Sequence, residues 1–253
     1  MRIAFVGKGG AGKSSLAGTF ARVLAGTGQH VLVLDSDPMP GVAFSLGVEQ
    51  TDAGMPDEAV EAYEDEDGRR RYRLREGLTG IGAIEQYAVR GPDGVHFLQL
   101  GKARGRRWDN TAAHHGFQRV MDDLPDEGWS VVGDLPGGTR QPFFTWGRYA
   151  ETFLVVVEPT PASVLTGRRL ARLATSPGSP RVAVVANKVC DPSDAERVAE
   201  RTGLELAGAV PFDPGVEQAD RLGRAVLDHD PGGPTAIAVR SLVVALSTEM
   251  GHT

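Results

Sequence analysis

Along the chain, short apolar runs rich in β-branched residues alternate with longer amphipathic stretches. Seven runs predict strands: Arg2 to Val6, Val31 to Asp35, Val95 to Leu100, Ser130 to Leu135, Thr152 to Glu158, Arg181 to Ala186 and Ala207 to Val210. Their apolar positions are nearly continuous, the pattern of strands covered on both faces in a parallel sheet. Between them, Lys13 to Thr27, Ala112 to Leu124, Pro161 to Thr175, Ser193 to Thr202 and Pro234 to Met250 carry apolar residues at helical spacing. This alternation predicts an α/β fold: a single doubly wound domain over residues 1–253, with a mostly parallel sheet of seven or more strands. The stretch 49–94 departs from the pattern. It holds the acidic run Glu64-Asp65-Glu66-Asp67, then Arg69-Arg70-Arg71-Tyr72-Arg73-Leu74-Arg75. A surface insertion with a small hairpin is expected there, and a partner-docking element is the alternative. A second basic cluster, Lys102 to Arg107, follows the third predicted strand and is a candidate to adjoin it.

Composition narrows the function classes. The 253 residues carry 27 Lys+Arg against 33 Asp+Glu, a net charge of −6, which argues against a dedicated nucleic-acid binder. The single cysteine, Cys190, excludes an intrachain disulfide, and even a homodimer lacks the thiols for an all-cysteine iron–sulfur cluster or zinc site. No apolar run is long enough to cross a membrane, and the N-terminus shows no signal-peptide pattern. A cytoplasmic location is expected.

The chemistry starts at the N-terminus. Gly7-Lys8-Gly9-Gly10-Ala11-Gly12-Lys13-Ser14 fits G-x-x-x-x-G-K-[ST] between a predicted strand and a predicted helix, the context a phosphate-binding loop requires. Its glycines let backbone N–H groups turn inward around phosphates, and the helix N-terminus adds its positive dipole end. Lys13 is expected to reach the β- and γ-phosphates and Ser14 to ligate Mg²⁺. Asn187 ends a predicted strand with an amide able to pair a donor and an acceptor on a purine. The aspartate that guanine-specific proteins place two residues after the lysine is replaced here by Cys190, which favours ATP over GTP.

The loop G-K-G-G-A-G-K-S-S resembles the deviant Walker A sequence of the dimeric P-loop ATPases that include MinD, ParA, the nitrogenase iron protein and the CooC-type nickel-insertion ATPases. The resemblance implies a P-loop NTPase fold, ATP and Mg²⁺ as cofactors, and a nucleotide-dependent homodimer in which Lys8 reaches the partner's nucleotide. It also implies phosphate contacts from Gly9, Gly10, Ala11, Gly12, Lys13, Ser14 and Ser15. In Leu34-Asp35-Ser36-Asp37-Pro38, Asp37 would position the attacking water. In Asp134-Leu135-Pro136-Gly137, Asp134 would hold Mg²⁺ through water and Gly137 would sense the γ-phosphate, while Asp37 would also meet the metal through water. Asn187 and Lys188, with Pro211, Phe212 and Asp213, match the adenine-flanking segments.

Several segments are most similar to CooC-type proteins, which implies an accessory or maturation factor for an unidentified client protein. The match departs at the metal site. Where that family holds nickel on C-x-C, this chain has Arg106-Arg107-Trp108-Asp109-Asn110. His114 and His115 nearby are adjacent, so on a helix they point about 100° apart and do not chelate as a pair. A ParA/MinD-type positioning ATPase that binds DNA or a scaffold is the first alternative, with DNA the less favoured partner. A membrane role is not expected, because the C-terminal helical segment carries one arginine and reads as core-packing. A small-molecule kinase or ligase on the same fold, resembling dethiobiotin synthetase, is the second alternative. Thr139, Arg140, Arg168 and Arg169 are then the candidates to line its substrate pocket.

Overall fold

Alternation along the first strand sets the layering. Ile3 and Phe5 face one side of the sheet, Ala4 and Val6 the other, and all four are fully buried. The computed structural model describes residues 1–36, 41–49, 55–99, 111–125, 128–137, 147–173 and 180–250. In chain order these form β1 (Arg2–Gly7), α1 (Lys13–Ala25), β2 (His30–Asp35), α2 (Val42–Leu46), β3 (Val60–Glu64), β4 (Arg70–Leu74), α3 (Gly80–Tyr87) and β5 (Val89–Arg90). They continue as β6 (His96–Gln99), α4 (Thr111–Asp122), β7 (Trp129–Asp134), β8 (Thr152–Val157), α5 (Pro161–Leu173), β9 (Arg181–Val189) and α6 (Ser193–Thr202). The last are β10 (Glu205–Pro211), α7 (Pro214–Arg221), α8 (Val226–His229) and α9 (Pro234–Met250).

Among the described residues the main sheet has eight strands in the order β10-β9-β8-β1-β7-β2-β6-β5. Every pairing is parallel except β5 against β6, so the expected mostly parallel, doubly wound sheet is what forms. One face is covered by α1, α2 and α9, which pack Leu16, Phe20, Leu46, Val239 and Leu242 with Ile3, Phe5, Val33 and Val156. On the other face α5 and α6 cover β1 and β8, while α3 and α4 cover β2. Phe5 and Phe20 meet edge to face with ring centroids 5.6 Å apart at the centre of the first layer. The chain leaves β1 toward β2 on one side and returns to β8 on the other. The carboxyl ends of these central strands therefore flank the crevice where open α/β sheets bind ligands.

The segment 49–94 divides in two. Residues 60–74 make an antiparallel hairpin beside the main sheet, with Glu61 opposite Arg73 and Glu64 opposite Arg70. From Thr79 onward the chain belongs to the core: Ala83 and Ile84 are fully buried, and β5 extends the main sheet. Thr79 caps α3 by accepting from the Gly82 N–H, and Asp123 accepts from the Gly80 N–H. The C-terminal α9 buries Ala236, Val239, Leu242, Val243 and Leu246, as its sequence pattern predicts. No helix among the described residues is long and apolar enough to cross a membrane.

Candidate functional site

The glycine-rich loop runs from the end of β1 into α1. Gly12 starts the helix at φ 93°, a left-handed conformation that L side chains rarely adopt, and a Cβ there would overlap the Asn187 amide. Ala11 N–H donates to the Lys8 carbonyl at 3.2 Å, closing the turn. Lys13 is buried at the start of the helix, 7% exposed, whereas Lys8 is exposed with no acidic partner among the described residues.

Two strand ends meet this loop. Ser14 Oγ donates to Asp134 Oδ2 at 2.5 Å, so a hydroxyl from the start of α1 and the carboxylate that ends β7 meet at one point. Both are hard oxygen donors, the set that suits Mg²⁺. Gly137 lies against the loop, where a Cβ would stand 3.4 Å from the Gly9 nitrogen. Ser36 N–H donates to the Asp134 carbonyl at 3.2 Å, tying β2's end to β7's. Asp35 is fully buried, and its Oδ2 accepts from the Gly41 and Val42 N–H groups at 3.2 and 3.3 Å, anchoring the start of α2. Gly41 in turn lies against Ser14, where a Cβ would come 3.4 Å from Oγ. Asp37 lies outside the described residues, as do Thr139, Arg140 and the Lys102–Arg107 cluster.

Beside the loop opens a pocket of about 420 Å³ lined by Gly10, Gly12, Lys13, Ser14, Ser15, Asn187, Lys188, Pro211, Phe212 and Asp213. Five of the seven expected phosphate-loop residues thus share a cavity with the five base-flanking ones, while Gly9 and Ala11 do not line it. Asn187 Nδ2 donates to the Ala11 carbonyl at 2.7 Å, and Lys188 Nζ donates to the Gly10 carbonyl at 3.0 Å. Lys188 is steadied by Glu158 at 2.5 Å, and its φ of 58° turns the chain at the end of β9. Asp213 is a scaffold: Oδ1 caps α7 through the Gly215 N–H at 2.8 Å, and Oδ2 accepts from the Thr235 N–H at 3.1 Å, pinning the start of α9. Phe212 is 54% exposed at the rim, an aromatic face free to meet a planar base. Val216, Glu217, Asp220 and Thr235 also line the pocket, with Leu16 of α1, and Glu158 completes the clamp on Lys188. None of Val216, Glu217, Asp220, Thr235 and Glu158 is singled out by the sequence, although Asp213-Pro214 is a helix-start signal that would place α7 beside the pocket.

Tyr149 adds a buried hydroxyl against Gly133, the residue before Asp134. Burial raises its pKa far above the ordinary phenol value, and the Asp134 charge adds to the effect, so it stays protonated. His115 stacks on Tyr72 with centroids 4.3 Å apart, while the His114 side chain lies outside the described residues. No group of three or more His, Cys, Asp or Glu that could hold a metal ion occurs among the described residues.

Residues 3–226 match the model of the CobQ/CobB/MinD/ParA nucleotide binding domain family. The chain belongs to this family. Over 271 aligned residues it is 27% identical to the carbon monoxide dehydrogenase accessory protein CooC of Rhodospirillum rubrum, covering 100% of this chain and 98% of CooC. It is 24% identical to the antiactivator FleN of Pseudomonas aeruginosa, covering 93% of this chain and 82% of FleN. The fold is similar to the Mg-ADP complex of the septum site-determining protein MinD from Pyrococcus horikoshii, with a TM-score of 0.73 at 16% identity over 99% of this chain and 97% of that one. Loop, pocket and family together make the chain a P-loop ATPase of the MinD/ParA kind, with ATP and Mg²⁺ as its ligands.

Proposed function

We propose that the chain is a nucleotide-switched dimer acting as an accessory factor for a client protein, in the manner of CooC. The observation that carries the switch is the contrast between the two lysines of the loop. Lys13 is buried where the chain's own nucleotide would lie, and Lys8 stands exposed on the same loop. A cation held out to solvent beside a phosphate site is placed to meet a phosphate bound in a second copy. The end-to-end relation to CooC supports the accessory role, while the single cysteine of this chain leaves no C-x-C pair.

In this assignment Gly9 to Ser15 enclose the phosphates through backbone N–H groups, and Lys13 neutralises them as a point charge. Ser14, Asp134 and Asp37 would hold Mg²⁺, the two carboxylates through water. The metal, when bound, offsets charge on the β- and γ-phosphate oxygens. Asp37 would orient the attacking water, and Gly137, packed on Gly9, would register loss of the γ-phosphate by letting its loop move. With Nδ2 committed to Ala11, Asn187 offers Oδ1 to the pocket, an acceptor for the exocyclic amino group of adenine.

Light scattering on a sizing column tests the switch. With Mg-ADP the chain should elute as a monomer, and with Mg and a non-hydrolysable ATP analogue as a dimer. Lys8→Ala should abolish the dimer while nucleotide binding persists. A species whose mass ignores the nucleotide, or a Lys8→Ala variant that still dimerises, would overturn the assignment.

A further inference from the structure

The nucleotide pocket is lined by a carboxylate for which the assignment above has no use. Asp220 of α7 borders the cavity with Val216 and Glu217, four and three positions before it, so the three share the helix face turned to the pocket. The other two carboxylates of this wall are committed. Glu217 accepts from Arg221 at 2.6 Å, and Asp213 accepts from the Gly215 and Thr235 N–H groups. The Asp220 side chain is exposed and has no hydrogen bond or ion pair among the described residues. It is also next to last in α7, where the helix dipole disfavours a negative charge. Neither a partner nor the helix accounts for an aspartate at this position.

The chemistry of the ligand supplies the reason. An ionised carboxylate only accepts hydrogen bonds, and beside a polyphosphate it is repelled unless a donor meets it. An adenine nucleotide offers donors at two places, the amino group of the base and the vicinal 2′ and 3′ hydroxyls of the ribose. The amino group falls to Asn187 Oδ1, and the phosphates fall to the glycine-rich loop. The sugar joins the two and is left to the remaining wall, which is Leu16, Val216, Glu217, Asp220 and Thr235. We infer that Asp220 accepts the ribose hydroxyls of the bound nucleotide and makes the site select ribonucleotides over their deoxy counterparts. Its two oxygens match two vicinal donors. The inference rests on the assignment of this pocket to ATP with the base at Asn187.

The test is titration calorimetry in Mg²⁺ with ADP, 2′-deoxy-ADP, 3′-deoxy-ADP and GDP, for the wild-type chain, Asp220→Ala and Asp220→Asn. Wild type should bind ADP about tenfold more tightly than either deoxy analogue, as for one hydrogen bond to a charged group at an exposed rim. Asp220→Ala should bring ADP and the two deoxy analogues to equal affinity. Asp220→Asn, which keeps an acceptor without the charge, should retain part of the preference. The ratio is the readout, because removing a negative charge near the phosphates acts on all four nucleotides alike. The ratio of ADP to GDP affinity should stay as in wild type. A wild type indifferent to the hydroxyls, or an Asp220→Ala variant that keeps the full preference, would overturn the inference. So would an ADP-to-GDP ratio that moves with Asp220 while the ribose preference does not, since the carboxylate would then face the base. In each of these cases the pocket assignment stands if Asn187→Ala weakens ADP binding. If wild type binds no ADP, or Asn187→Ala binds it as tightly as wild type, the pocket assignment fails and the inference fails with it.

Discussion

Asn187 is buried and donates to the Ala11 carbonyl of the glycine-rich loop. Asn187→Ala strands that carbonyl. The expected loss is about 1–3 kcal/mol of stability, read as a lower urea midpoint, together with weaker ATP binding. The Asn-Lys pair is legible in the sequence as a pocket element because an amide at a strand end is a recognisable donor–acceptor group. Its grip on the loop is not legible, because a hydrogen bond spanning 176 positions leaves no local pattern. The same holds for Tyr149, whose contact with Gly133 depends on tertiary packing alone. Titration gives a second prediction at this scale. His96 is buried, its ring edge to face with Trp129 at 5.1 Å, and its Nδ1 has no partner among the described residues. Burial first, then Arg90 and His30, push its pKa below the ordinary histidine value, against a weaker pull from Glu85. The unfolded chain therefore binds the proton more readily than the folded one. This group's contribution is complete above about pH 6.5 and lost as the pH falls through its folded value. Stability should decline on acidification from pH 7.5 to 5.5, and His96→Gln should flatten that slope in urea titrations followed by tryptophan fluorescence.

At the scale of elements, Arg22 shows how short helices are fixed. Its guanidinium, 6% exposed, pairs with Asp93 at 2.7 Å and with both oxygens of Asp228 at 2.8 Å, joining α1 to the 92–94 turn and to α8. Burial works against the charge, but Asp228 and then Asp93 outweigh it and raise the guanidinium's pKa. Removing one carboxylate leaves a buried cation half paired. Because the carboxylates are more than a third exposed, Asp228→Ala should cost about 1–2 kcal/mol, less than a fully buried pair. Arg22→Met, which removes the charge and keeps the apolar stem, should cost less than Asp228→Ala; urea midpoints at unchanged m-value would rank them. The seven apolar runs are legible because burial on both faces leaves them nearly uninterrupted, and the five long helices because helical spacing repeats over many residues. The four-residue α8, the five-residue α2 and the two-residue β5 are too short to carry a period. In α3 the opening Gly80-Ile81-Gly82 hides a helix that exists because Ala83 and Ile84 are buried by the sheet and Thr79 caps it.

At the scale of the molecule, the charge pairing of the arginine-rich hairpin sets an expectation for nucleic-acid binding that can be tested. Between residues 57 and 75 five arginines stand among seven carboxylates, so the patch that reads as basic over 69–75 is acidic as a whole. The charges are matched inside the hairpin: Arg73 meets Glu61 at 2.7 Å directly across the ladder, Arg71 meets Asp65 at 2.8 Å, and Arg69 stands 3.7 Å from Asp67. Arg71 first, then the Arg69 N–H, hold the Asp65 carboxyl below its usual pKa, so the pairing persists throughout the neutral range. Arg70 and Arg73 lie over Tyr72 and Tyr63 at 5.4 and 5.3 Å, which orders the guanidinium planes along the hairpin. Duplex DNA binding draws on unpaired cations that release counterions, and log K falls with log salt in proportion to the phosphates neutralised. A surface whose arginines already face carboxylates releases few. With the ATP analogue bound, the protein should show no duplex binding whose affinity drops steeply between 50 and 200 mM salt in fluorescence anisotropy. Glu61→Gln with Asp65→Asn, which unmasks two arginines, should create a measurable salt-dependent affinity. Strong salt-dependent binding by the wild type would instead move the output of the switch from a client protein to DNA.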